Sequence, residues 1–383
     1  MQLVMLTDDK QSTRICKDYW QQNEDGKFTL KVQEIATSHG MKPYLLSNYV
    51  KQHAYAWLAT VCCMRCEEPY RFETRGQYQE RNRYKRTICT DCRKVERQSI
   101  ADAKRSLLVK MRQSAESNTV DLTALGLKGT VYLLATIQAL GTENFSSIEP
   151  LYDYPACTLS PDFAYDQKIL RYLLDKHLLL ISLNTRQEAV ELHDNELGSI
   201  SLDVSTFDLA LSQCQITELI NEFRESKVIH NIRQTPEFIE LCKEIQLNEC
   251  LGFLKAMLVD HKLSLVPGAK TKQVLTQCLE KFSVAQTYNF IWRAATNAAA
   301  YYMRSTISKK QAANSVVGAI SRYMEQSLAN AWNVKSFERN YSFPQSSLSR
   351  IVFNTILGTD DGGFKQPLHE LIEPENSSTW LAR

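Results

Sequence analysis

The chain reads as a mainly α-helical, multidomain protein, and three observations carry that reading. Helix-forming segments with capping signals recur over most of its 383 residues. A compact four-cysteine array interrupts them in the N-terminal third. Charge is also split unevenly along the chain. Residues 1–112 carry 21 Lys/Arg against 13 Asp/Glu, and residues 113–383 carry 24 against 30. The length suggests roughly two to four domains. Apolar residues make up 44% and charged residues 23%, the balance of a globular chain. No apolar run approaches the roughly 20 residues a membrane helix needs. The opening MQLVMLTDDKQ lacks the basic flank and apolar core of a signal peptide, so a cytoplasmic location is expected.

Eleven cysteines are present. Cys157, Cys214, Cys242, Cys250 and Cys278 are scattered through helical-looking sequence and read as small buried hydrophobes rather than a disulfide framework. Cys62, Cys63, Cys66, Cys89 and Cys92 are not scattered.

In chain order, residues 1–27 are polar and weakly patterned, which predicts a short helix plus a loop. Two helices follow from Phe28 to about Lys51. The cysteine segment occupies about 58–95, and SIADAKRSLLVKMR (99–112) has the periodicity of a basic exit helix. The polar run QSAESNT (113–119) is the best boundary. VYLLATIQAL then predicts an apolar helix. Ser160-Pro161 predicts an N-cap with proline at the first helical position, opening DFAYDQKILRYLLDKH. LLLISL and GSISLDVSTFDLAL are strand-like. This part is therefore mixed, either an ordinary α+β module or a winged-helix-like unit. Beyond 213 helices dominate. Thr235-Pro236 opens one that reaches about His261. Ser283/Gln286 and Ser308/Gln311 are capping boxes ahead of two long Ala-rich, aromatic helices. One more helix is expected over 345–357, then a loop-like tail. The expected domains are 1–57, 58–112, 120–212 and 213–383.

The stretch VQEIATSHGMKPYLLSNYVKQH carries a second pattern. Ile35 and Ala36 sit inside its first helix, and the small Ala36 lets a second helix cross closely. Gly40 stands where a tight turn favours positive φ. Met41, Leu46 and Tyr49 fall where the second helix needs apolar groups, although a smaller aliphatic is usual at the last. Over about 22 residues this resembles the helix-turn-helix of bacterial repressors and related DNA-binding proteins. The resemblance implies an outward face of Lys42, Pro43, Tyr44, Ser47, Asn48 and Lys51 toward double-stranded DNA. Asn48 suits a bidentate contact with adenine. Lys42 and Lys51 suit phosphate, and Tyr44 and Ser47 suit either. A helix pair that merely packs is the alternative.

Cys63, Cys66, Cys89 and Cys92 form C-x2-C pairs separated by 22 residues, a spacing that suits one tetrahedral zinc ion. Cys62 offers a three-residue spacing to Cys66, but Cys63 repeats the spacing of the second pair. Between the pairs, Tyr70, Phe72, Tyr78 and Tyr84 alternate with basic residues as strands of a small hairpin would. The segment resembles zinc-ribbon modules, which are common in proteins that handle nucleic acids. That implies a structural Zn2+ and places Arg81, Arg83, Lys85 and Arg86 at DNA. A redox dithiol pair and an iron–sulfur cluster are the alternatives. The two resemblances span about residues 28–97, and no family is suggested over the full length.

No phosphate-binding G-x4-G-K-[ST] loop, G-x-S-x-G elbow, H-E-x-x-H or zinc-deaminase signature occurs. Asp162, Asp166, Glu188, Glu191 and Asp194, or Asp360 with Asp361, are the carboxylates from which a nuclease site would have to be assembled. Trp292, Arg293, Asn297, Tyr301, Tyr302 and Arg304 on one helix, with Arg322 and Tyr323 on the next, suggest either a buried network or a helix pair with one wet polar face. Trp332 and Arg339 raise the same choice. The layout expected is a helix-turn-helix and zinc ribbon, a mixed α/β middle and an α-helical C-terminal domain. Its expected role is a DNA-binding regulator or recruitment subunit, with a mobile-element or phage-defence context. The acidic helical half would hold a protein partner or self-associate. A nucleic-acid-processing enzyme and a zinc-stapled interaction scaffold are the other readings.

Overall fold

Helices account for 62% of the computed structural model and strands for 10%, which makes the protein mainly α. The structure describes residues 1–116, 125–153, 158–193, 196–304, 307–339 and 343–372. Cys157, Asp194, residues 117–119 and the stretch ENSSTWLAR therefore lie outside the described residues. Among the described residues no helix is long and apolar enough to cross a membrane. The chain divides into two units, Met1–Ala103 and Lys104–Arg383.

The first unit contains β1 (Gln2–Met5), α1 (Lys10–Trp20), α2 (Val32–Ser38), α3 (Pro43–His53), β2 (Ala54–Cys62), β3 (Pro69–Phe72) and α4 (Arg75–Gln79). A 3-10 turn follows over Arg81–Arg86, and α5 (Thr90–Glu116) begins in this unit. The three strands form one antiparallel sheet in the order β1-β2-β3. Strand β1 was not legible: four residues offer too short a period, and its pairing with β2 is a non-local contact. The two expected helices are present. Gly40 has φ +63 and open space where a Cβ would stand, so the turn needs glycine for its backbone alone. Ile35, Ala36, Leu46 and Val50 are fully buried. Tyr49 shares a 2.6 Å hydrogen bond with Ser12 and stacks on His53, so its extra bulk is used for anchoring.

The boundary expected at 57/58 falls inside β2. Side chains from both sides, Trp20 and Leu46 with Phe72 and Tyr78, fill one core. The helix pair and the cysteine segment are thus one folding unit. Arg75 locks it. Its guanidinium is 7% exposed and donates to the carbonyls of Tyr19, Leu30 (2.7 Å) and Asp18 (3.4 Å). It thereby serves the carbonyls that the C-terminal end of α1 leaves unpaired. It also lies over the rings of Tyr19 and Phe28, at 4.6 and 4.3 Å.

The polar run 113–119 does not divide the units. Helix α5 continues to Glu116, because QSAE contains neither glycine nor proline and is compatible with a helix. The second unit continues with α6 (Gly126–Leu140), β4 (Ser147–Ile148), α7 (Phe163–Asp175), β5 (Leu179–Ile181), β6 (Val190–His193), β7 (Glu196–Ile200) and β8 (Phe207–Leu209). Strands β4, β8 and β5 make one small sheet, and β6 and β7 make a hairpin. Helix α7 starts two residues later than its proline suggested, with Asp162 at the N-cap. The Ser160 N–H instead donates to the Asp166 carboxylate at 2.8 Å, which draws 160–162 into a turn of its own.

Then come α8 (Gln213–Phe223), α9 (Ser226–Arg233), α10 (Pro236–Asp260), α11 (Ala269–Leu279), α12 (Val284–Arg304), α13 (Lys309–Ala329), α14 (Ser347–Ser349) and α15 (Leu368–Ile372). Both capping boxes are formed, and Thr235 caps α10 ahead of Pro236. The helix expected over 345–357 is a short α turn continued as a π-helix over Arg350–Ile356. Helix α10 serves two cores. Phe238, Leu241, Cys242 and Ile245 pack with α6, α7 and the small sheet. Cys250, Phe253, Leu254 and Leu258 pack with α11, α12 and α13. Side chains from 125–211 and from 213–260 meet in the first core, so no break in packing falls at the expected 212/213 boundary.

Two stability predictions follow from this packing. Arg75→Lys keeps the charge but cannot reproduce the three-way fork. It should cost about 2–3 kcal/mol, read as earlier denaturant unfolding and faster amide exchange at the end of α1. The Asp166 carboxyl is pushed up to about 7 by burial, against the lowering effect of Ser160. The folded form then holds a proton that the unfolded form releases above about 4. Stability should fall as pH rises from about 4 to 7, by on the order of 2–4 kcal/mol from this group. Asp166→Asn should flatten that slope in urea titrations; an unchanged slope would show that Asp166 titrates normally.

Candidate metal centre and basic helix face

Strand β2 ends at Cys62, and Cys63 begins a tight turn. The Cys63 N–H donates to the Glu68 carbonyl at 2.9 Å, and the Glu67 N–H returns to the Cys63 carbonyl at 3.0 Å. Glu67 takes φ +59 to close this turn. The second pair straddles the start of α5: Cys89 precedes it and Cys92 lies in its first turn. A 3.2 Å bond from the Met64 N–H to the Thr87 carbonyl ties the two turns together. The four sulfurs all lie within 4.8 Å of one another, and Cys66 and Cys89 are 3.9 Å apart. A tetrahedral Zn–S4 centre with bonds of about 2.3 Å places its sulfurs about 3.8 Å apart. The group therefore fits a metal such as zinc.

The four thiols differ in their electrostatics. The Cys63 sulfur is 2% exposed and accepts from the Cys89 N–H at 3.2 Å and the Arg65 N–H at 3.4 Å. Burial pushes its thiol up, but the N–H groups of Cys66, Cys89 and Arg65 outweigh it and bring it down to about 6. Hydrogen bonding to Cys89, and then burial, pushes the Cys92 thiol up to about 12. A bound cation would displace such protons. Cys62 is not part of the group; its thiol donates to the Ala59 carbonyl at 3.3 Å.

The hairpin expected between the two pairs is absent. Only β3 lies there, and its partner is β2, so the hairpin spans the first cysteine turn instead. Residues 75–86 form α4 and the 3-10 turn. The alternation of aromatic and basic residues has a different cause. Tyr70, Phe72 and Tyr78 are core residues, and Tyr84 packs against Tyr70 and Phe72 at 5.2 and 5.7 Å. The bases between them point outward, except Arg75.

On α3, Tyr44, Asn48 and Lys51 are exposed at four- and three-residue intervals, with Lys42 exposed at the N-cap. Ser47 is half-buried, its hydroxyl 3.4 Å from that of Tyr19. Lys51 is paired with Glu73 at 2.7 Å. Arg81 lies over Tyr78 and donates to its carbonyl, Arg83 pairs with Glu80 at 3.0 Å, and Lys85 and Arg86 are exposed. These four form a group on the 3-10 turn, separate from α3. Sequence reasoning missed Leu45, which is 44% exposed beside Tyr44. The helix-turn-helix pattern assigns it no role.

Four of the carboxylates considered for a nuclease site are engaged elsewhere. Asp162 binds Lys255 through both oxygens at 2.8 Å, Asp166 is buried on Ser160, and Glu191 accepts from Ser199. Asp361 accepts from the N–H groups of Gly363 and Lys365. Among the described residues, the four cysteines are the one group of metal-ligating side chains gathered closely enough to hold an ion. On α12, Trp292, Arg293, Asn297 and Tyr301 face water, with Arg293 and Asn297 engaging Tyr323. Arg339 does enter the interior, where it pairs with the buried Glu249 at 3.2 Å.

Elemental analysis of the purified chain should find one tightly held metal ion per molecule. Cys66→Ser should lose it and destabilise the first unit, whereas Cys62→Ser should retain it. Equal loss in both variants would contradict the assignment of Cys63 over Cys62.

No family model, curated protein or solved structure matches the chain.

Proposed function

We propose that the first unit binds double-stranded DNA through a helix-turn-helix formed by α2 and α3, beside a structural zinc ribbon. The observation that carries this reading is the division of α3 into two sides. Leu46 and Val50 fix one side in the core, while Lys42, Tyr44, Asn48 and Lys51 stand exposed on the other. A rigid helix with a polar, cationic outer face is what major-groove recognition needs. Four thiolates leave no open coordination position, so zinc here holds structure and does not activate water. Lys85 and Arg86, exposed and outside the ion pairs of the described residues, supply phosphate contacts from the 3-10 turn, with Arg81 and Arg83 beside them.

In this reading the protein is a cytoplasmic regulator or recruitment subunit, of the kind a mobile element or a phage-defence system uses. Its modules run from helix-turn-helix and ribbon, through a mixed α/β part, to the helical part. The second unit holds a protein partner or a second copy. Exposed Trp292 and Tyr301 with Arg293 support that role, because such residues dominate binding hot spots. A zinc-stapled scaffold that never touches DNA is the second reading, and the exposure of Met64 (67%) and Val95 (60%) near the cysteines favours it.

A labelled-duplex titration over a range of salt separates the two. DNA binding should weaken steeply with salt, at a slope near 0.9 per phosphate contact. Lys42→Ala should lower that slope by about one, and Asn48→Ala should cost about 1–3 kcal/mol on a preferred site. Absence of salt-dependent binding would leave only the scaffold reading.

A further inference from the structure

We propose, resting on the duplex-binding reading above, that the first turn of α3 recognises the 5-methyl group of thymine, with Tyr44 and Leu45 as the contact. Tyr44 is 70% exposed and Leu45 44%, on consecutive positions immediately after Pro43. Leu46 and Val50 already occupy the core side of the helix, so this pair is not needed for packing. Proline at the first helical position presets the backbone of the turn that carries them. No carboxylate occurs from His39 to His53, and exposed Lys42 flanks the pair, so the surface is complementary to a polyanion.

The major-groove edge of a duplex is polar except at one place, the C5-methyl of thymine. An apolar pair on a cationic, carboxylate-free helix turn has that group as its counterpart. Asn48 lies one turn on from Tyr44, and its side-chain amide matches the N6/N7 edge of adenine. Adenine pairs with thymine, so Asn48 and the Tyr44–Leu45 pair are suited to read A·T pairs jointly.

The full chain is incubated with a random-sequence duplex pool, and bound molecules are recovered and enriched. Enriched sites should share A·T pairs. Resynthesis of such a site with deoxyuridine in place of thymidine should weaken binding about fourfold for each contacted methyl. The double variant Tyr44→Ala, Leu45→Ala should bind both versions alike while keeping the parent's salt dependence and metal content. Equal affinity of the parent for the thymine and uracil versions would overturn the proposal, as would enrichment without A·T pairs or no enrichment; duplex binding itself would stand in each case. No duplex binding at all would instead remove the duplex-binding reading, and this proposal with it.

Discussion

The N–H groups of Cys89 and Arg65 both donate to the Cys63 sulfur, and the first of these bonds joins the turn after β2 to the start of α5. Cys63 directly follows the last residue of β2, and Cys89 and Cys92 flank the start of α5. The 22 residues from Glu67 to Ile88 must return to the same point. Closing a loop of that length costs entropy, and a metal held by all four sulfurs would offset it. The aromatic layer of Tyr70, Phe72, Tyr78 and Tyr84 holds the same loop from within. Tyr70 links the two devices directly, through a 2.8 Å hydrogen bond to Thr87 in the strap before Cys89.

Counting charges along the chain overstates what this unit offers to a polyanion. Arg75 spends its charge on carbonyls of the interior, Lys51 on Glu73, and Arg83 on Glu80. A four-thiolate zinc centre would carry a further −2. Exposed Lys42, Lys85 and Arg86 enter none of the ion pairs among the described residues, and they carry the outward charge of the helix pair and the 3-10 turn. Position therefore matters more than total charge. In the duplex-binding reading, three cations on two elements would set an orientation, whereas a diffuse excess would only raise encounter rates.

Local chemistry was legible wherever one residue type has one physical use. The cysteine spacing, the serine–glutamine caps and the Thr235-Pro236 start are of this kind, and each stands where the residues place it. Features that depend on a distant partner were not legible. Strand β1 exists because β2 offers it an edge. The segment between the cysteine pairs alternates aromatic and basic residues like a hairpin, but only β3 finds a partner, so the remainder coils into α4 and a 3-10 turn. Ser160 does not cap α7, because its hydroxyl donates to the Asp162 carbonyl while its N–H is held by Asp166, and nothing local marks Asp166 for that role. Arg75 looked like one more base in a basic run.

The same rule decides the fate of polar residues on the Ala-rich helices of the second unit. What crosses a helix determines whether its polar side chains are buried or wet. The extended chain over 332–339 runs along the start of α12: Gln286 and Asn289 donate to the carbonyls of Val334 and Lys335, and the Phe337 N–H donates to Ala285. Arg339 is thereby delivered to Glu249, whose carboxyl is pushed up by burial and drawn partly back by that guanidinium. Trp292 meets the edge of this cover at Phe337, with ring centroids 6.1 Å apart. Asn297 and Tyr301, one and two turns further on, are exposed, and Arg293 is held in place by the Tyr323 ring. Aromatic and guanidinium groups ordered in advance lose little entropy on binding. In the proposed reading, the uncovered half of α12 is where the second unit would meet its partner.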